Sequence, residues 1–325
     1  MIPSMIPPPE FTLIGYFKIT KDKTEPIQHD ATPPRLHTQI ILPIPLKGSR
    51  DERTDFFSLH YGSCLHQCTE SALAYKGITE SYFERNCKVI SDRRSLQNIF
   101  IYCVKKYTNI MASLETNPFY CKLEVFNIMV ERRDQMLYIS CIDPYISSYS
   151  DIFKFGEAFE LKMTNRTTTE SNTFGLTKLD FGDVSCVIRF EVDCVDSQKQ
   201  LLELKSMREI AGKNDKIDKV SFYLDTWIQM VLSNIPKVRI GRYEKKNSES
   251  EWASLKVIED MSIEAVQDAA HVTDAHKEVL FQNLVTILEN ISQQVVNGQV
   301  VFRFTTNDYA VLGLLPPHAE DEAKG

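Results

Sequence analysis

Two short runs in the middle of the chain carry the residue types that phosphate chemistry needs. In Phe190-Glu191-Val192-Asp193 two carboxylates stand two residues apart, and in Leu202-Glu203-Leu204-Lys205 a carboxylate and an ammonium do the same. Alternate residues of a β-strand share a face at about 6.5 Å spacing. Glu191 and Asp193 therefore point one way and Val192 the other, while Glu203 and Lys205 point together, opposite Leu202 and Leu204. If the two strands pair in register, three carboxylates and one Lys converge on one patch. Acids so close raise one another's pKa unless a cation intervenes. The cation suited to an all-oxygen set is Mg²⁺ or Mn²⁺. Such an ion positions a water and stabilises the attacking and leaving oxygens at phosphorus, and a Lys offsets charge building on the phosphoryl group. Taken alone, Glu-x-Lys is an ordinary solvated strand face, and a second copy stands at Glu160-Leu161-Lys162.

The elements that must hold these residues follow from periodicity and turn chemistry. Val184 to Cys194 and Leu201 to Ser206 read as neighbouring strands joined by the turn Asp196-Ser197-Gln198. Val220 to Leu232 reads as a helix that stops before Ile235-Pro236. Upstream, Phe11 to Thr20 and Thr38 to Pro43 read as strands. Tyr82 to Leu114 reads as helical, interrupted near Ser91-Asp92, either of which can cap a new helix. Leu123 to Arg132 and Gln135 to Cys141 form a strand pair across Arg132-Arg133-Asp134, Ile146 to Met163 a helix, and Asn165 to Thr173 a polar loop. Downstream come strands Val238 to Tyr243 and Ala253 to Val257, helix Val279 to Val296 ending near Asn297-Gly298, and strands Gln299 to Thr305 and Tyr309 to Leu315. Helices interleaved with hairpins predict a mixed α/β (α+β) fold. It is a single domain over residues 1–315, mixed β-sheets flanked by helices, with a frayed tail at 316–325.

Composition closes off other classes. The 325 residues are 43% apolar and 25% charged, an ordinary globular balance that excludes collagen, low-complexity disorder and a disulfide-built miniprotein. With 37 Lys and Arg against 44 Asp and Glu, no global basic field advertises nucleic acid. From Lys199 to Lys256, however, 12 Lys and Arg face 8 Asp and Glu, a local basic lining compatible with RNA. The Pro-rich start lacks the pattern of a signal peptide, and no apolar run is long enough to span a bilayer. The eight cysteines sit largely in strand-like text and read as buried thiols of an intracellular protein, in the nucleus and/or the cytoplasm. Cys64 and Cys68 have His60 and His66 nearby but no second pair at zinc-site spacing.

The order of motifs resembles known nucleases. Asp193, nine residues and then Glu203-Leu204-Lys205 is similar to the pattern of the PD-(D/E)xK class. Gly156-Glu157-Ala158-Phe159-Glu160 fits Gly-x-h-h-Glu (h, hydrophobic), Glu191-Val192-Asp193 fits Glu-h-Asp, and Glu203-Leu204-Lys205 fits Glu-h-Lys. This set resembles the DXO family of RNA decapping enzymes and 5′-end exoribonucleases. Ile14-Gly15-Tyr16, Asn117-Pro118-Phe119-Tyr120, Leu137-Tyr138-Ile139-Ser140, Trp227-Ile228-Gln229 and Ser254-Leu255-Lys256 extend the resemblance over nearly the whole chain.

The resemblance implies a PD-(D/E)xK-like metal site for Mg²⁺ or Mn²⁺. In it Glu160, Asp193, Glu203 and the main-chain carbonyl of Leu204 hold the ion. Glu191 holds a second metal or its water, and Lys205 and Gln229 orient the water or the scissile phosphate. The implied substrate is an RNA 5′ end, capped, triphosphorylated or NAD-capped, with a 5′–3′ exoribonuclease partner implied by resemblance only. One departure stands out. The family's first motif carries an Arg, and counting back from Pro118 without gaps puts Thr108 in its place, with Lys105 and Lys106 nearby. Thr supplies neither the charge nor the bidentate fork of Arg. Two readings follow: a metal-dependent RNA 5′-end hydrolase, or a catalytically impaired paralogue that binds RNA or a protein partner in a regulatory role.

Overall fold

The structure is a computed structural model that describes residues 8–20, 27–37, 40–47, 63–108, 125–142, 150–165, 171–209, 215–245, 252–305 and 308–314. In chain order the elements are β1 (Glu10–Thr20), β2 (Gln28–His29), β3 (Ile44–Lys47), α1 (Ser63–Tyr75), β4 (Cys87–Asp92), α2 (Arg93–Tyr107), β5 (Phe126–Arg133) and β6 (Met136–Cys141). They continue with α3 (Ser150–Met163), β7 (Ser171–Phe181), β8 (Val184–Glu191), β9 (Cys194–Val195), β10 (Leu201–Arg208) and α4 (Asp215–Ser233). The last are β11 (Lys237–Lys245), β12 (Trp252–Ser262), α5 (Ile263–Ala269), α6 (Asp274–Gln294), β13 (Gly298–Phe304) and β14 (Tyr309–Leu314). The fold is mixed α/β, as the interleaved pattern predicts. Among the described residues, no helix is long and apolar enough to cross a membrane.

Two sheets carry the strands. The larger has the order β14-β13-β5-β6-β4-β8-β7-β1-β2, and the smaller the order β3-β12-β11-β10-β9. β4 runs parallel to both β6 and β8, and β10 runs parallel to β11. The strand expected over Val184 to Cys194 is therefore two strands in two sheets: β8 ends at Glu191 in the larger, and β9 opens at Cys194 in the smaller. Val192 and Asp193 form the crossing between them.

Three other expectations change. The helical reading of Tyr82 to Leu114 resolves into the end of a 3-10 turn at Glu80–Tyr82, strand β4 and helix α2, and residues 109–114 lie outside the described ones. β4 sits between β6 and β8 with Val89 and Ile90 buried on its two sides, and a strand covered on both faces loses the alternation that marks strands in sequence. Of the strand expected over Thr38 to Pro43, residues 38 and 39 lie outside the described ones and 40–43 are not strand; the strand is β3, an edge strand beginning at Ile44, where Pro45 is tolerated because one side of the backbone needs no partner. The polar loop Asn165 to Thr173 gives way to β7 at Ser171, whose β-branched Thr173 and Thr177 pair with β1. Helix α1 was not expected; it draws Cys68 into an apolar cluster under Phe17 and Leu73. Among the described residues, Cys87, Cys103, Cys186 and Cys194 are free thiols. The segments Asn117-Pro118-Phe119-Tyr120 and 316–325, together with His60, lie outside the described residues.

The main core lies between the larger sheet and helices α2, α4 and α6, where Phe100 meets Trp227 and Phe281 edge-on at 5.9 and 5.3 Å. A separate core joins α3 to the smaller sheet through Phe155, Phe159, Leu204 and Leu255. That packing sets the position of α3 and so of Glu160. Its tightest point is Gly241 on β11, where an added Cβ would fall 2.7 Å from Phe159 Cδ2 and 2.8 Å from Leu255 Cδ1. Overpacking of this kind costs about 1–3 kcal/mol. Gly241→Ala is accordingly expected to lower the urea unfolding free energy by that amount with an unchanged m-value, and a variant as stable as the parent would contradict this packing.

Candidate active site

Five segments bring charged side chains to one place. The first is the start of α2. Asp92 caps that helix by accepting from the Ser95 N–H at 2.9 Å and from the Ser95 hydroxyl at 2.7 Å, and Ser95 Oγ in turn accepts from the Cys141 N–H of β6 at 2.7 Å. The cap fixes the first turn against the sheet and directs Arg93 at β10. There the guanidinium forks onto Glu203, Nη1 to Oε2 at 2.9 Å and Nη2 to Oε1 at 3.2 Å. Lys205 Nζ donates to Glu203 Oε1 at 2.6 Å. Glu203 is 1% exposed, so its charge is balanced by these two cations rather than by water.

Asp193 approaches from the crossing between the sheets. The β9–β10 ladder stops at Leu202↔Cys194, yet Asp193 Oδ2 still accepts from the Leu204 N–H at 2.7 Å. That bond continues the antiparallel register by a side chain and puts Asp193 beside Glu203. Glu160 on α3 acts electrostatically on Asp193, and Glu191 at the end of β8 acts on Arg93. From α4, Asp225 feels Lys205, Arg93 and Glu203. Its Oδ1 accepts from Gln97 Nε2 at 2.5 Å and its Oδ2 from Gln229 Nε2 at 2.9 Å.

Charge balance within this cluster splits the acids. Burial pushes the Glu203 carboxyl up, but Arg93 and Lys205 outweigh it and hold it at about 2, below its ordinary 4.5. This pairing stabilises the fold above the ordinary glutamate value, and the contribution is lost as pH falls through about 2. Asp193 moves the opposite way: burial first, then Glu203 and Glu160, raise it well above the ordinary aspartate value despite Lys205 and the Leu204 N–H. Its ionisation works against folding as pH rises above that value. Burial likewise raises Asp225. Arg93 and Lys205 are both raised, because their acidic neighbours overcome the burial that would lower them.

Of the residues singled out by spacing and resemblance, Glu160, Glu191, Asp193, Glu203, Leu204 and Lys205 come together here. Gln229 joins them through Asp225, while Trp227 and Met230 of the same helix are fully buried. Thr108 does not. It is the C-cap of α2, where its hydroxyl donates to Val104 O at 2.7 Å. Fifteen helical residues, about 22 Å at 1.5 Å each, separate it from the end that bears Arg93. Lys106 stays at that far end too, donating to the Tyr102 hydroxyl at 2.9 Å. The cation that the structure does place among the carboxylates is Arg93, fifteen residues before Thr108. Arg93, Gln97 and Asp225 were missed by the sequence reading. The usable signals were Arg93-Arg94 directly after the capping Asp92, and the four-residue spacing that puts Arg93 with Gln97, and Asp225 with Gln229, on one helix face.

A family model described as RAI1-like PD-(D/E)XK nuclease matches residues 158–321, half of the chain. The chain belongs to this family. It is the DXO family that the motif order resembles. No curated protein matches at the level of sequence. Solved relatives share the fold at low identity. Scheffersomyces stipitis Rai1 in complex with (3′-NADP)⁺ and calcium is 14% identical, with a TM-score of 0.65 over 94% of this chain and 91% of that one. K. lactis Dxo1 in complex with manganese is 13% identical, with a TM-score of 0.64 over 97% and 92%. Candida albicans Rai1 in complex with pU5-Mn²⁺ is 13% identical, with a TM-score of 0.64 over 94% and 90%.

The donor set of this chain fits a hard divalent ion. Five carboxylates, Glu160, Glu191, Asp193, Glu203 and Asp225, are coupled to two cations, Arg93 and Lys205, so the cluster carries an excess of negative charge. All of these donors are oxygens, which suits Mg²⁺ or Mn²⁺. Among the described residues, no three acidic, His or Cys side chains already close around a point, and Arg93 and Lys205 both donate to Glu203. A dication relieves the repulsion that raises Asp193. Saturating Mn²⁺ is expected to raise the thermal unfolding midpoint, by the equivalent of about 2.7 kcal/mol at a hundredfold excess over Kd. Asp193→Asn is expected to match or exceed the parent's stability without metal at pH 7, and to lose most of that Mn²⁺ shift. An equal shift in both proteins would put the ion elsewhere.

Proposed function

We propose that this chain is a metal-dependent RNA 5′-end hydrolase of the decapping, pyrophosphohydrolase or 5′–3′ exoribonuclease type. The observation that carries the reading is the Arg93–Glu203–Lys205 arrangement beside Asp193, which joins fixed cations to an acid-rich, all-oxygen donor set. The relatives crystallised with pU5-Mn²⁺ and with (3′-NADP)⁺ support an RNA 5′ end or a nucleotide-capped one as the substrate class.

In this reading Glu160, Asp193, Glu203 and the Leu204 carbonyl hold Mg²⁺ or Mn²⁺, with Glu191 serving a second ion or its water. The bound ion supplies Lewis-acid polarisation of a phosphoryl oxygen and a water of lowered pKa. Arg93 takes the part of the first-motif Arg. Its fork keeps Glu203 ionised and oriented, and its positive charge would offset that of a bound phosphate. Lys205, a point charge on the same strand face, offsets negative charge that develops on the phosphoryl oxygens. The impaired-paralogue alternative rested on Thr108 in place of an Arg, and with Arg93 among the carboxylates nothing specific favours it.

The test is metal-dependent turnover of triphosphorylated, capped, NAD-capped and monophosphorylated RNA by the purified full chain. Glu203→Ala and Arg93→Ala are each expected to lower the rate by about 10²–10³-fold, the range for removing a preorganised electrostatic group. Thr108→Arg, at the remote end of α2, is expected to leave the rate unchanged. A folded, Mn²⁺-binding protein that turns over none of the four RNAs would overturn the proposal.

A further inference from the structure

Asp225 stands in none of the three acidic motifs, yet both of its oxygens are engaged on the helical side of the site. Each of its oxygens accepts from a different carboxamide, Oδ1 from Gln97 Nε2 at 2.5 Å and Oδ2 from Gln229 Nε2 at 2.9 Å. Gln97 lies one turn after Arg93 on α2, and Gln229 lies one turn after Asp225 on α4. The first bond ties α2 to α4 across the charged cluster, and the second, within α4, couples Gln229 to that tie. A carboxylate only accepts, so the ends of both amides that face Asp225 must be the NH₂ groups. Gln229 is then left with its carbonyl Oε1, an acceptor, as the end unspent on Asp225. An acceptor takes a hydrogen bond from a water but repels the oxygens of a phosphate, which carry no proton to donate.

We propose that Asp225 is a positioning residue that locks the Gln229 carboxamide with Oε1 available to the attacking water, so that Gln229 orients the nucleophile and does not grip the phosphate. The inference rests on the hydrolytic reading above and narrows the role of Gln229 within it.

Asp225→Ala is expected to lower kcat about 10–100-fold, the range for groups that orient a metal-site residue, with KM for RNA and the Mn²⁺ midpoint within twofold of the parent. Combined with Gln229→Ala it is expected to add nothing to the loss from Gln229→Ala alone. Asp225→Asn, nearly isosteric, guards against loss of folding. It offers one acceptor oxygen to two amides, so one of them must turn, and kcat is expected to fall here too. The readout independent of turnover is the side-chain ¹⁵N–¹H carboxamide spectrum without metal or RNA. Signals of Gln97 and Gln229, assigned through Gln97→Glu and Gln229→Glu, are both expected to move in Asp225→Asn. Unmoved carboxamide signals, multiplicative losses in the double variant, or a raised KM at unchanged kcat would each overturn the proposal. If the parent turns over no RNA, the functional reading fails and the water-orienting role falls with it, while the carboxamide signals still decide the clamp.

Discussion

The fork of Arg93 on Glu203 is the interaction around which the rest of the site is arranged. An ionised carboxylate at 1% exposure is untenable without a partner, and removing one member of such a buried pair typically costs about 3–5 kcal/mol. The partner has an awkward origin. Arg93 and Arg94 open α2 with no acid in its first turn, so two cations stand at the positive end of a helix dipole. Asp92 at the cap and Glu203 across the gap supply the missing negative charge. Each side thus remedies a defect in the other: the helix end needs an anion, and the strand's carboxylate needs a cation.

A second constraint is the passage of the chain from one sheet to the other. β8 belongs to the nine-stranded sheet and β9 to the five-stranded one, with only Val192 and Asp193 between them. The Val192 N–H still donates to Thr173 O at 2.9 Å, on the side of the larger sheet, while Asp193 already binds Leu204 in the smaller. Asp193 is therefore fixed by backbone on both flanks. A carboxylate anchored in this way stays buried and beside Glu203 and Glu160, so burial first and their repulsion second raise its pKa.

Much of this was legible in the sequence, for reasons that differ residue by residue. Glu203 and Lys205 were readable because β10 is a regular strand and alternation alone puts them on one face. Gln229 was readable from helix geometry, since the buried Trp227 and Met230 fix which side of α4 faces the core. Glu191 and Asp193 were found for a partly mistaken reason, because they end one strand and precede another instead of sharing a face. Arg93 was out of reach of the gapless count, and Asp225 lacked any motif; both act through contacts with residues 110 and 128 positions away in sequence. The buried strand β4 was hidden by apolar residues on both of its faces. Pairings at such separations leave no local trace, whereas caps, strand alternation and helix stripes do.

The strand order of the larger sheet has a consequence for how the protein is made. β4, β5 and β6 precede residue 158, yet β5 is flanked by β6 and by β13, the latter synthesised some 165 residues after β5 ends at Arg133. At ribosomal speeds of about 5–20 residues per second, the edge of β5 waits on the order of ten to thirty seconds for its neighbour. That edge belongs to a strand with Phe126, Ile128 and Val130 on its apolar side, and an unpaired strand edge is a template for pairing with another chain. The nascent protein thus carries that open edge through about half of its translation, and the sheet closes only when β13 arrives.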